Sequence, residues 1–117
     1  MWQIITTDTF DDWLVAQDDT DRACVLSAMI VLQQAGPALC RPYADTLKGS
    51  RFSNMKELRI QSKGDPIRAF YAFDPWRSGV LLCAGHKSGN EKRFYAELSP
   101  LADKEFTHHL QREERKE

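Results

Sequence analysis

A chain of 117 residues and 13.5 kDa, 42% hydrophobic and 28% charged, has the size of one core and the composition of a soluble globular protein rather than a disordered or fibrous one. No run approaches the roughly 18 apolar residues of a membrane-crossing helix, and Met1-Trp2-Gln3-Ile4-Ile5 lacks the basic and apolar regions of a secretory leader, so the expected compartment is the cytoplasm. The net charge of −1 hides a segregation: residues 41–95 hold eleven Lys/Arg against five Asp/Glu, a local +6, while residues 1–40 sum to −5 and 96–117 to −2. Local field matters more to a polyanion than net charge, so the middle block keeps a nucleic-acid partner open, as it does an ordinary solvated sheet face.

Along the chain, Trp2 to Thr6 alternates apolar and polar residues and reads as a short opening strand. Phe10, Trp13 and Leu14 fall at i, i+3 and i+4, with acidic residues in the first turn, which predicts a helix over about Asp8 to Gln17. The cluster Asp18-Asp19-Thr20-Asp21 caps a second helix carrying Val25, Leu26, Met29, Ile30 and Leu32, closed by Gly36-Pro37. A loop through Cys40-Arg41-Pro42 leads to Met55–Gln61, which alternates with Met55, Glu57, Arg59 and Gln61 on one side, a strand with one wet face. Turn residues Ser62 to Pro66, an aromatic and β-branched run Ile67–Phe73, the turn Asp74–Gly79 and the apolar run Val80–Ala84 complete an antiparallel meander. Ser99-Pro100 reads as cap and first residue of a terminal helix, with Ala102, Phe106, His109 and Leu110 on its apolar stripe and a charged tail over about 111–117.

The expected architecture is one α+β domain over residues 1–117. An N-terminal strand and helical hairpin pack on one face of a curled, mainly antiparallel sheet, a C-terminal helix follows, and one sheet face stays open for a ligand. Cys24, Cys40 and Cys83 form no CxxC pair and sit among apolar neighbours, which reads as buried thiols. His108 and His109 are adjacent, on different helix faces, and no HxxxH or His/carboxylate spacing exists, so no metal site is expected.

Four stretches, taken together, carry a resemblance. They are Lys56-Glu57-Leu58-Arg59; Ile67-Arg68-Ala69-Phe70-Tyr71-Ala72-Phe73-Asp74-Pro75; Val80 through Asn90, with Gly85-His86-Lys87-Ser88-Gly89 inside it; and Arg93-Phe94-Tyr95, continued by Pro100-Leu101-Ala102-Asp103. Their spacing resembles the HigB-like, phage Gp49-type branch of the RelE/ParE toxin superfamily: ELR, then RxxYxFDP, a VLL strand, GxKxG, a later FY, and PxAD. The resemblance implies a RelE-like fold and a ribosome-dependent mRNA endoribonuclease that cuts in the A site without metal or cofactor. It further implies control by a helix-turn-helix, HigA-like antitoxin, with DNA reached only through that partner and no membrane involved. A non-enzymatic ParE-like inhibitor of DNA gyrase and an inactive RNA-binding homologue are the alternatives.

Cleavage by a 2′-hydroxyl needs a base, an acid and cations for the phosphorane charge. Arg68, an arginine inside an apolar strand, matches the family's phosphate-facing arginine, its bland alternative being a partner of a hairpin Asp. Lys87 matches a basic residue that stabilises charge, His86 is the histidine placed to titrate, and Tyr95 matches a tyrosine near the reacting oxygens; these four form the expected catalytic set. Arg51, Lys56, Arg59, Lys63 and Arg93 are expected to hold RNA or ribosome, with Phe94 stacking on a base. The Ser88–Lys92 segment before Phe94-Tyr95 is longer than in RelE nucleases proper.

Overall fold

The computed structural model describes residues 1–116 and places nine elements in one sheet with helices on both sides. In chain order these are β1 (Gln3–Thr6), α1 (Asp8–Val15), α2 (Asp19–Ala35), a 3-10 turn (Gly36–Ala38), β2 (Ala44–Thr46), β3 (Lys56–Ser62), β4 (Asp65–Phe73), β5 (Ser78–His86) and α3 (Glu91–Arg115). The sheet runs β1-β5-β4-β3-β2; β1 pairs parallel to β5, and all other neighbours are antiparallel. The expected opening strand, helical hairpin and meander are all present.

Local chemistry accounts for the first half. Thr7 caps α1 by accepting from the Phe10 N–H, and Asp18 caps α2 by accepting from the Asp21 N–H at 2.8 Å. Gly36 ends α2 at φ +62°, where a Cβ would fall 2.3 Å from Trp2 Nε1, so only glycine lets the first strand lie against the helix end. Phe10, Val25 and Leu32 then pack on Leu58, Ile67, Ala69, Tyr71 and Leu81, which share one sheet face by strand alternation.

The other face is covered as well. Phe94, Ala102 and Phe106 of α3 pack against Phe70, Ala72, Val80, Leu82 and Cys83. A bulge between Phe70 and Tyr71 shifts the β4–β5 register, so Leu82 and Cys83 both reach this second core and β5 is buried on both faces. The expectation of helices on one face, with the second face available for a ligand, is corrected here: α3 crosses that second face and buries Phe70, Ala72, Val80 and Leu82.

Two further corrections concern α3. It starts nine residues before Pro100, capped by Asn90, whose side chain accepts from the Arg93 N–H at 3.0 Å. Pro100 lies inside the helix, where a missing N–H and ring clash cost on the order of 3 kcal/mol. The apolar stripe Phe94, Leu98, Leu101, Ala102 and Phe106 runs straight through that position, so burial against the sheet outweighs the local preference for ending there. Residues 111–115, expected as a tail, continue the helix; Glu117 lies outside the described residues. Among the described residues no helix is long and apolar enough to cross a membrane.

Candidate active site

On the α3 side of the sheet, strand alternation places Glu57 and Arg59 of β3 beside Phe70 and Arg68 of β4, with Arg59 directly opposite Arg68. Two guanidinium groups facing each other across a strand pair repel. Glu57 resolves this: its Oε2 accepts from Arg59 Nε at 3.0 Å and lies 3.6 Å from Arg68 Nε. Its other oxygen, Oε1, accepts from the Tyr95 hydroxyl at 2.6 Å. A carboxylate only 4% exposed therefore joins three groups from three elements.

Tyr95 is fixed from below by Phe70, whose ring lies parallel to it at 5.9 Å and 6°. Lys87 follows the end of β5, its backbone N–H donating to Pro66 O at 2.8 Å, and its Nζ sits 5.6 Å from the Tyr95 ring centroid and 3.1 Å from Glu91. Gly85, two residues earlier on the same strand face, makes this approach possible. A Cβ there would meet Phe94 at 3.0 Å and Leu98 at 3.4 Å, so a side chain would push α3, and with it Tyr95, off the sheet. The cleft in front of these groups, about 450 Å³, is lined by Arg41, Asp45, Lys48, Arg59, Glu91 and Tyr95 together with Glu57.

The electrostatics are specific. Burial, and then the hydrogen bond and charge of Glu57, push the Tyr95 phenol well above the ordinary tyrosine value, with Arg68 opposing. Tyr95 is thus a neutral hydrogen-bond donor at physiological pH, not a phenolate. Arg68 donates from Nη1 to Ile67 O at 3.0 Å, but its buried Nε has no hydrogen-bond partner among the described residues. A buried donor left unmade costs about 1–3 kcal/mol, and here it points along the face that carries Glu57 and Tyr95.

Arg68, Lys87 and Tyr95 of the expected catalytic set come together here, and Arg59 joins them. His86 does not. One residue from Lys87 on a strand, it points to the opposite face, where Nε2 lies 2.9 Å from Gln17 Oε1 and 3.5 Å from Asp21 Oδ2, and its ring meets Trp13 at 6.1 Å. Lys63 is on that side too, at the β3–β4 turn, paired with Asp18 and, at 3.7 Å, with Asp21. Lys56 sits on β3 by the β2 edge, Arg93 is exposed and pairs with Glu97 at 3.0 Å, and Arg51 lies by the second half of α3, away from the cleft. Phe94, expected to stack on a base, is 8% exposed and anchors α3 edge-on to Phe70, so it is a core residue. The +6 block therefore does not form one free basic face: Arg59 and Lys87 are held by the chain's own carboxylates.

Glu57 is the residue the sequence reading missed, because alternation put it on a wet face. Its signal was the ELR triplet, which is where the resemblance begins. Of the cysteines, Cys83 is buried, its thiol pushed up to about 12 by burial and then by Glu105 and Asp103; Cys24 is half-buried, and Cys40 is exposed, contrary to expectation. Among the described residues no group of three or more His, Cys, Asp or Glu is placed to hold a metal ion.

Comparison with known proteins gives the chain relatives in sequence and in fold. The chain is 43% identical over 99 residues to a Mycobacterium tuberculosis protein named as toxin HigB2, covering 84% of this chain and 49% of that one, so it spans about half that relative's length. It is 41% identical over 100 residues to HigB3 of the same organism, also named as a toxin, with 86% of both chains covered. The fold is similar to that of a mutant of the E. coli toxin RelE in the free state, at a TM-score of 0.59 and 9% identity, over 92% of this chain and 96% of that one. Residues 12–107 match the family described as phage-derived Gp49-like proteins, and to that family this chain belongs.

Proposed function

We propose that the chain is the toxin of a toxin–antitoxin pair and cleaves mRNA on the ribosome at the Glu57–Arg68–Tyr95 centre. The observation that carries this reading is the buried Glu57 carboxylate, shared by the Tyr95 hydroxyl at 2.6 Å and by Arg59 and Arg68. The Arg68 Nε beside this carboxylate makes no hydrogen bond among the described residues, which leaves a donor for a substrate oxygen. The toxin names of the relatives at 43% and 41% identity point the same way.

The 2′-oxygen of the substrate attacks the adjacent phosphorus, forming one P–O bond while the bond to the 5′-oxygen breaks, which leaves a 2′,3′-cyclic phosphate and a 5′-hydroxyl. Tyr95 Oη takes the 2′-hydroxyl proton as it passes its own to Glu57 Oε1, a relay that never requires a free phenolate in a site that disfavours one. Arg68 and Arg59 face the phosphate oxygens, and Lys87 at the cleft edge stabilises charge on the departing 5′-oxygen and donates the proton that makes it a hydroxyl. All of these groups belong to the protein.

An antitoxin completes the reading, and a helix-turn-helix, HigA-like partner is the one proposed. Growth after induction, with and without the neighbouring gene, tests it: arrest with the chain alone and rescue by the neighbour is the expected result. Unimpaired growth at high soluble expression would remove the toxin reading.

A further inference from the structure

The β2 edge of the cleft carries a pair of residues that the cleavage chemistry does not use. Asp45 stands opposite Glu57 in the β2–β3 register, and both line the cleft together with Arg41. Asp45 Oδ2 accepts from Arg41 Nε at 3.0 Å, lies 2.8 Å from Arg41 Nη2, and also accepts from Arg59 Nη2 at 3.2 Å. Its Oδ1 accepts from the Thr46 N–H at 2.9 Å. One carboxylate is thus fixed by the backbone through one oxygen and holds two guanidinium groups through the other.

The Arg41 guanidinium is aimed as well as exposed. The loop that carries it is closed by Cys40 O, which accepts from the Tyr43 and Ala44 N–H groups at 3.0 and 3.2 Å, while the side chain is 73% exposed. With Nε and one side of Nη2 turned to Asp45, Nη1 and the outer Nη2 hydrogen remain as a parallel pair of donors. Nη1 makes no hydrogen bond among the described residues. The hydrogen bond from Arg41, and then that from the Thr46 N–H, hold the Asp45 carboxyl below the ordinary carboxylate range, so the pair is ionised at neutral pH. Its geometry is set before any ligand arrives, which lowers the ordering cost of contact.

Charge and position separate this arginine from those that face the phosphate. The charge of Arg41 is matched by that of Asp45, so the pair attracts an anion less than a free cation does. What it keeps is a planar donor edge of fixed direction, which suits the neutral edge of a base. β2 lies two strands from β4, roughly 10 Å across the sheet. A phosphate facing Arg68 therefore leaves a neighbouring base, not another oxygen of the same phosphate, in front of Arg41.

We propose that Arg41, held in place by Asp45, reads a guanine flanking the scissile phosphate and so sets the base preference of the cleft. Guanine presents O6 and N7 as two adjacent acceptors, which match two parallel donors. Adenine puts an amino donor where O6 would be, and uracil and cytosine lack the N7 acceptor. A single strand leaves this edge of the base open. Asp45 does not read the base itself, because its two oxygens already face four N–H groups of the chain. The inference rests on the nuclease reading for the presence of RNA in the cleft, but its measurement does not depend on cleavage.

The test is fluorescence anisotropy of short, labelled, 2′-O-methylated single strands, uracil throughout except for one central guanine, adenine or 7-deazaguanine, titrated with the full chain. The methyl group blocks cutting, and 7-deazaguanine removes N7 alone. Wild type should bind the guanine strand about tenfold more tightly than the adenine strand, with 7-deazaguanine in between. Arg41→Ala, at an exposed position, should bind all three strands alike, and Asp45→Asn should narrow the preference without weakening binding as a whole. Arg22→Ala, on α2, should change nothing. Equal affinities for the three strands in wild type, or a guanine preference that survives Arg41→Ala, would overturn the proposal. A wild-type chain that shows this preference yet fails to cut translated mRNA would defeat the nuclease reading and leave the guanine contact standing.

Discussion

Tyr95 donates its hydroxyl proton to Glu57 across 2.6 Å, and the carboxylate that receives it is the one that separates Arg59 from Arg68. The phenol is raised by burial first and by Glu57 second. Glu57→Gln should therefore move the Tyr95 titration, read as phenolate absorbance, back down toward the ordinary value, though not all the way, since burial remains. The linkage has a definite sign. The unfolded chain loses this proton first, near pH ~10, so the stability tied to Tyr95 is intact below about pH 10 and is lost as pH rises toward the folded-state value. A wild-type phenol that titrates with free tyrosine would contradict the buried contact.

Turnover and binding should separate at the cations. Arg68→Ala and Lys87→Ala are expected to lose on the order of 10² in cleavage rate at saturation while ribosome affinity changes little, because their charge acts on the phosphorane. Lys63→Ala and Arg93→Ala, both away from the cleft, should leave the rate at saturation nearly intact. Equal losses in all four variants would mean that the cluster is only a binding surface.

His86 gives the sharpest contrast between sequence and structure. It stands next to Lys87 in the chain but contacts Gln17, Asp21 and Trp13 on the far face. His86→Ala should cost about 1 kcal/mol of stability in denaturant melts, with the cleavage rate per folded molecule close to wild type. A stable His86→Ala chain with a hundredfold slower rate would return the histidine to the mechanism.

Gly85 tests whether the position of α3 matters to the site. Gly85→Ala places a methyl 3.0 Å from Phe94, an overpacking expected to cost about 1–3 kcal/mol and to lower turnover by displacing Tyr95. A destabilised variant with unchanged turnover would detach Tyr95 from the chemistry.

What the sequence displays and what it hides divide along physical lines. The cap at Asp18, the apolar spacing of α1 and α2, the largely aromatic run of β4 and the apolar run of β5 are local signals, and they appear in the structure as read. The start of α3 was misplaced because Ser99-Pro100 is a strong local start signal, while the force that carries the helix through Pro100 is long-range burial on the sheet. Strand alternation correctly aligned Glu57 with Arg59, but nothing local announces that Tyr95 of a later helix covers that face and buries the carboxylate. His86 was misread for the converse reason: adjacency in sequence means opposite faces on a strand. The edge strand β2, only three residues long, has no periodicity to read.

The central claim is that Glu57, Arg68 and Tyr95 form one RNA-cutting centre, and primer extension on mRNA translated in the presence of the purified chain tests it most directly. The account predicts discrete stops within the open reading frame for wild type and for His86→Ala, and their loss with Tyr95→Phe or Glu57→Gln at equal ribosome occupancy. Undiminished stops in both Tyr95→Phe and Glu57→Gln, or no stops from wild type at concentrations that arrest growth, would contradict it.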